Sequence, residues 1–164
     1  MKLLFLGDVM GRAGRAAVTE RLPKLIDEWR LDFVVVNGEN ASSGRGLNAG
    51  HAKALLDAGA DCITLGDHAF DQKDMLQFIN SEPRIIRPLN YARGDVPGRG
   101  ARIYPAKGGR KVFVAQALGQ VFMNKTYDDP FSAIDAELRK HPRGGLVQAS
   151  IIDIHCEATS EKMG

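Results

Sequence analysis

Four short stretches of the sequence each place a carboxylate, an amide or an imidazole directly after an apolar run. They are Gly7-Asp8, Asn37-Gly38-Glu39-Asn40, Gly66-Asp67-His68, and Asp153 followed by His155 and Glu157. Oxygen and imidazole groups of this kind ligate divalent metals. Histidine is also the side chain most easily poised for proton transfer near neutral pH. Taken singly, each has a plainer account: Asp8 fits an Asx turn, and His155 fits a core histidine that has found a hydrogen-bond partner. Glu39 is harder to explain as a turn residue. Three carboxylates, Asp8, Glu39 and Asp67, gathered without a counter-charge would repel and shift one another's pKa values. Bound cations remove that conflict. Mixed carboxylate, amide and imidazole ligation suits Mn, Fe or Zn better than an all-oxygen magnesium site.

For these groups to converge, the apolar runs before them must lie side by side. Runs of β-formers fall at 3–6, 33–36, 62–65, 102–104, 112–117 and 146–154. Between them, Val18, Leu22, Leu25, Ile26 and Trp29 repeat with helical period, and Pro23 is expected to kink or restart that helix. Shorter helical patterns follow at Ala52–Ala58 (ended by Gly59), at Met75–Ile79 (stopped before Pro83) and at Phe131–Leu138. Nearly continuous apolar strands alternating with helices read as a buried parallel sheet, hence an α/β fold. In such sheets ligands bind at the carboxyl ends of the strands, where the four stretches lie. Lys107-Gly108-Gly109-Arg110 reads as a hairpin turn, which adds an antiparallel element.

Composition narrows the class further. The chain has 164 residues, 44% apolar, with 18 glycines and a net charge of +2. That is one domain's worth of chain with enough apolar surface for a core, which excludes disordered, collagen-like and disulfide-stapled classes. Cys62 and Cys156 show no paired spacing, so neither a disulfide framework nor a zinc ribbon is suggested. No apolar run approaches the roughly 20 residues of a membrane span, and the N-terminal run is too short for a secretory signal. A cytoplasmic protein is the expectation. Eight basic residues against one acid, Asp95, occupy residues 84–111. They could steer an anionic substrate, but without interleaved aromatics they do not suggest stable nucleic-acid binding. His51 and His141 read as solvated surface groups, and Cys156 as a small buried filler.

The order Gly7-Asp8, Gly38-Glu39-Asn40, Gly66-Asp67-His68 resembles the calcineurin-like metallophosphoesterases. More narrowly, the chain is similar to the bacterial YmdB-type phosphodiesterases along nearly its whole length. Phe5–Arg12, Val36–Ala41, Asp128–Phe131 and above all Ile154–Lys162 carry that likeness. The resemblance implies two packed sheets flanked by helices. It also implies two metal ions, with Asp8 and Asn40 on the first, Glu39 bridging, and Asp67 and His155 on the second. His68 would be the proton donor to the leaving oxygen, and the substrate a phosphodiester such as a 2′,3′-cyclic nucleotide. Two such ions stabilise the attacking and leaving oxygens of an in-line displacement.

Two features depart from the family pattern. Residue 67 is Asp where Asn is usual, which keeps a ligand but adds negative charge. Two further histidines, expected from a downstream Gly-Thr-His-Thr-His-like stretch, have no counterpart here. Thr159-Ser160-Glu161 also reads as the start of a helix only a few residues before Gly164. The expectation is therefore a single domain over 1–164 that is the N-terminal part of a longer protein. The alternative function is a non-catalytic metal- or nucleotide-binding regulatory module. A generic nucleotide-binding domain is disfavoured, since no G-x-G-x-x-G or G-x-x-x-x-G-K-[ST] element follows the first strand. Homo-oligomerisation is left open.

Overall fold

The computed structural model describes residues 1–91 and 95–164. Strands β1 (Leu3–Leu6), β2 (Phe33–Asn37), β3 (Cys62–Thr64) and β4 (Ile85–Ile86) form a parallel sheet in that order. Helices α1 (Gly11–Trp29), α2 (Ala49–Asp57) and α3 (Met75–Ser81) make the crossovers. Every residue of β2 is buried, as its position between two neighbours and beneath two layers demands. A second sheet holds β5 (Ala101–Ala106), β6 (Arg110–Leu118) and β7 (Ala149–His155), with β5–β6 antiparallel and β6–β7 parallel. Helix α4 (Pro130–Lys140) links the last two strands, and a short α5 (Thr159–Met163) follows.

The alternation of side chains along the strands sorts the core into layers. Val34, Val36 and Ile63 pack under Leu22, Leu55 and Met75 of the three crossover helices. Phe33, Val35 and Cys62 point the other way and meet Tyr104, Val112 and Val114 of the second sheet. On that sheet's far face Phe113 and Ala115 pack with Leu138 of α4. The result is helices, sheet, sheet, helix, an α/β arrangement with a parallel sheet flanked by helices. The turn joining β5 to β6 is a single 3₁₀ turn, Lys107–Gly109, in which Gly108 and Gly109 have φ of 74° and 71°. Left-handed backbone of that kind is cheap only for glycine.

Several expectations need correction. Strand β1 is not buried: Leu3 and Phe5 are 36% and 41% exposed. It is the outer strand of its sheet, and one of its faces lacks a covering layer. Helix α1 begins at Gly11 rather than near Val18; Arg12, Ala13, Gly14 and Arg15 give its first turns no apolar period by which a sequence could show them. It also runs unbroken through Pro23, and Trp29, read as part of the apolar face, is half exposed. The proline ring removes only the donor that would have met the Thr19 carbonyl, on the solvent side of the helix. Strand β4 leaves no mark in the sequence pattern, since two residues carry no period. Strand β7 starts at Ala149, leaving Leu146 outside it and exposed. Neither His51 nor His141 is a solvated surface group. The first is half-buried with Nδ1 at 2.7 Å from Ser42 Oγ, and the second stacks on Phe113 at 4.5 Å. Of the basic segment, Arg93 lies outside the described residues. Arg84 pairs with Glu82, and Arg110 with Asp32. No helix among the described residues is long and apolar enough to cross a membrane.

Candidate metal centre

The carboxyl ends of β1, β2 and β3 and the end of β7 meet across the two sheets. Strand β2 runs into Gly38-Glu39-Asn40, where Glu39 is only 2% exposed. Its main-chain N–H donates to Asn37 Oδ1 at 3.2 Å, which fixes the turn out of the strand. Strand β3 runs into Gly66-Asp67-His68. A Cβ on Gly66 would overlap the Glu39 carboxylate, so glycine is required there for Glu39 to lie across the strand end. From the second sheet, His155 closes the group: Nδ1 lies 2.9 Å from Glu39 Oε2, and Nε2 lies 3.4 Å from Asp67 Oδ1. One ligand atom from each of Glu39, Asp67 and His155 falls within 4.8 Å of the other two.

Asp8 and Asn40 form the adjoining half. Asp8 takes a left-handed conformation with φ of 45°, and Asn40 Nδ2 donates to its Oδ1 at 2.7 Å. That bond leaves the Asn40 amide oxygen and the second Asp8 oxygen as unspent donor atoms toward a cation. The loop is held by Val9 N–H on the Asn37 carbonyl at 3.0 Å and Gly11 N–H on the Asn40 carbonyl at 2.9 Å. A cavity of about 180 Å³ includes Asp8, Glu39, Asp153 and His155 in its lining.

The electrostatics follow from burying like charges together. Burial is the main reason the Glu39 carboxyl is held above its usual range, and the facing Asp67 adds to it. At Asp67 burial pushes upward too, but the hydrogen bond with Glu39 and the two nearby histidines outweigh it, and the group ends low. His155 is raised above an ordinary imidazole, chiefly by its hydrogen bond to Glu39. Tyr127 and Tyr91 pack edge to face behind these acids. Burial and then Asp67 and Glu39 push Tyr127 up to about 12. Two facing carboxylates and an imidazole, with an amide and a further carboxylate beside them, fit a divalent cation as donors.

His68 stands at the edge of the cluster. Its Nδ1 is bonded to Asp71 Oδ2 at 2.9 Å, and its Nε2 lies 4.0 Å from Asp67 Oδ1. Asp71 thus sets the ring's orientation and presents Nε2 to the site. Asp71 was missed in the sequence, although its spacing three residues after His68 was a usable signal. Asp153, read as a possible ligand, is otherwise engaged: Asn37 Nδ2 and Thr64 Oγ1 both donate to its Oδ2, at 2.9 and 2.5 Å. It ties the two sheets directly beneath the cluster. Glu157 lines a separate cavity of about 270 Å³ that Asp67 also borders. The expected helix start at Thr159 exists, but no side chain caps it. Its acid, Glu161, is buried and instead accepts the main-chain N–H groups of Gln120 and Val121 at 2.7 and 3.2 Å.

Comparison with known proteins gives a consistent set of relatives. Residues 4–164 match the profile of a family described as YmdB-like protein. A Bacillus subtilis protein named 2′,3′-cyclic-nucleotide 2′-phosphodiesterase is 38% identical over 163 residues, covering 99% of this chain and 60% of the relative. A crystal structure of a Thermus thermophilus protein described as hypothetical superposes with a TM-score of 0.89 at 40% identity, over 99% of this chain and 61% of that one. A Mycoplasma pneumoniae structure described as a novel phosphatase gives 0.87 at 32% identity, over 99% and 58%. The chain therefore spans about 60% of the length of the Bacillus relative.

Proposed function

The chain belongs to the YmdB-like protein family, and from that premise we propose that it serves in a metal-dependent phosphodiesterase acting on 2′,3′-cyclic nucleotides. The observation that carries this reading is the convergence of Glu39, Asp67 and His155 from three strands in two sheets, their ligand atoms within 4.8 Å of one another. With Asp8 and Asn40 alongside, these residues would hold two divalent ions, Fe or Mn by preference and Zn as a further candidate. Bound metal would supply Lewis acidity and charge neutralisation at the phosphoryl oxygens. The substrate class is that in the name of the Bacillus relative.

The reaction adds water to a cyclic phosphodiester and breaks one P–O bond to ribose, leaving a phosphomonoester. The departing ribose oxygen needs a proton. His68 is the residue for it: Asp71 accepts from Nδ1–H, so Nε2 of the imidazolium carries its proton toward the site. Asp71 is a positioning residue and touches no substrate. Gly66 and the Asn37 side chain keep Glu39 facing Asp67.

Metal analysis paired with hydrolysis of a bis-aryl phosphodiester and of 2′,3′-cyclic AMP tests the reading. His68→Ala is expected to lower turnover on the order of 10²- to 10⁴-fold with metal content unchanged. Equal turnover in the two proteins would remove His68 from the mechanism. A second reading, a metal-binding module without turnover, is favoured by one observation. Of the chain's four histidines, His51 and His141 are engaged elsewhere, and only His68 and His155 reach the cluster. Metal uptake with no hydrolysis by the wild-type chain would favour that reading.

A further inference from the structure

The loop between β6 and α4 presents an aromatic side chain that the fold does not use. Phe122 is 83% exposed and holds a left-handed backbone with φ of 64°, a conformation that bulky residues rarely adopt. Strain and solvent exposure of a phenyl ring both oppose this arrangement, so the surrounding structure must impose it. That structure is on view. Glu161 is buried beneath the loop and accepts from Gln120 N–H and Val121 N–H. Gln120 Nε2 donates to the Tyr127 carbonyl at 2.7 Å, and Gly119 N–H donates to the carbonyl of His155 at 2.9 Å. A Cβ at Gly119 would run into Glu161 and Cys156, so the loop is seated as closely as a backbone can be. It is thereby fastened to the residue that delivers the imidazole of the metal cluster. Phe122, Met123 and Asn124 then line one side of a cavity of about 270 Å³, and Asp67 of the cluster lines another.

We propose that Phe122 is the platform on which the nucleobase stacks when the phosphate of a nucleotide lies at Glu39, Asp67 and His155. The proposal rests on the phosphodiesterase reading and adds what that reading lacks, a contact that distinguishes a nucleotide from a bare phosphate ester. Stacking tolerates any base, because every base has a π face. The site is accordingly selective for nucleotides as a class and indifferent among bases. Met123 gives the same wall a polarizable rim.

The test is titration calorimetry on the manganese-loaded chain with inorganic phosphate, ribose 5-phosphate and adenosine 3′-monophosphate. The wild type is expected to bind the adenosine ester on the order of tenfold more tightly than ribose 5-phosphate. Phe122→Ala should abolish that difference while leaving the affinity for inorganic phosphate unchanged, and Phe122→Trp should keep it. As Phe122 is exposed, neither change threatens the core. An undiminished nucleotide advantage in Phe122→Ala would overturn the stacking role. So would a wild type that binds the adenosine ester no more tightly than ribose 5-phosphate, and in both cases the phosphodiesterase reading would stand. Failure of the manganese-loaded wild type to bind phosphate at all would overturn both.

Discussion

The Glu39 carboxylate lies across the end of β3 only because residue 66 has no side chain. Gly66→Ala is therefore expected to displace Glu39, weaken manganese binding, and cost about 1–3 kcal/mol of stability as an overpacked site. Gly50→Ala is the control. Its Cβ would meet nothing closer than 3.6 Å in an exposed turn of α2, and it should stabilise by up to about 1 kcal/mol. Thermal melts with and without manganese check both. Asp67 sits on the other side of Glu39. Asp67→Asn removes one negative charge but keeps an amide oxygen in place. The expected result is retained metal binding at lower affinity, about tenfold weaker, with altered turnover; identical metal affinity and kinetics in both proteins would make the acid at this position irrelevant.

At the scale of elements, β2, β3 and β7 are joined beneath the site by one carboxylate. Asp153 accepts from Asn37 on β2 and Thr64 on β3, although burial raises its pKa and works against its charge. Asp153→Ala should cost about 2 kcal/mol, the expense of stranding two buried donors, and chemical denaturation would measure it. The sequence could name Asp153 as a polar residue near a strand end but could not separate a brace from a ligand. That distinction depends on which neighbours lie across the sheet. The parallel β1–β2–β3 unit, its crossover helices and the hairpin at Lys107 were legible because period and turn chemistry are local signals. Legible too were Glu39, Asp67, His68 and His155, since each follows an apolar run. The first turns of α1, the two-residue β4 and the exposure of β1 were hidden, because small residues, short strands and missing cover leave no periodic trace. The burial of Glu161 was hidden for another reason: an acid in a helix's first turn looks the same whether it caps the helix or braces a loop forty residues away.

Over the whole molecule, the candidate ligands run from Asp8 to His155 and draw on both sheets. A cation held by them would bind the folded chain and not the unfolded one. Manganese at about 100 times its dissociation constant should then stabilise the fold by about 2.7 kcal/mol. For a chain of this size that is a rise in Tm of roughly 5–10 °C. His155→Ala should remove most of the rise, and a melt insensitive to manganese in the wild type would argue against a site that spans the sheets.

Strand β1 ends one sheet and β7 ends the other, and Phe5, Gly7, Asp153 and His155 line one cavity between them. The opposite borders, β4 and β5, lie away from it, and Ile86 of β4 bridges to Arg99 just before β5. A sheet can lengthen only at a border, by offering unpaired N–H and C=O groups to a new strand. In this architecture the two kinds of border are not equivalent. Strands annexed at β4 or β5 would enlarge the scaffold and leave the chemistry alone. Strands annexed at β1 or β7 would become walls of the cavity that the candidate ligands line and bring their own side chains into it, so growth on that flank would change the lining and the size together.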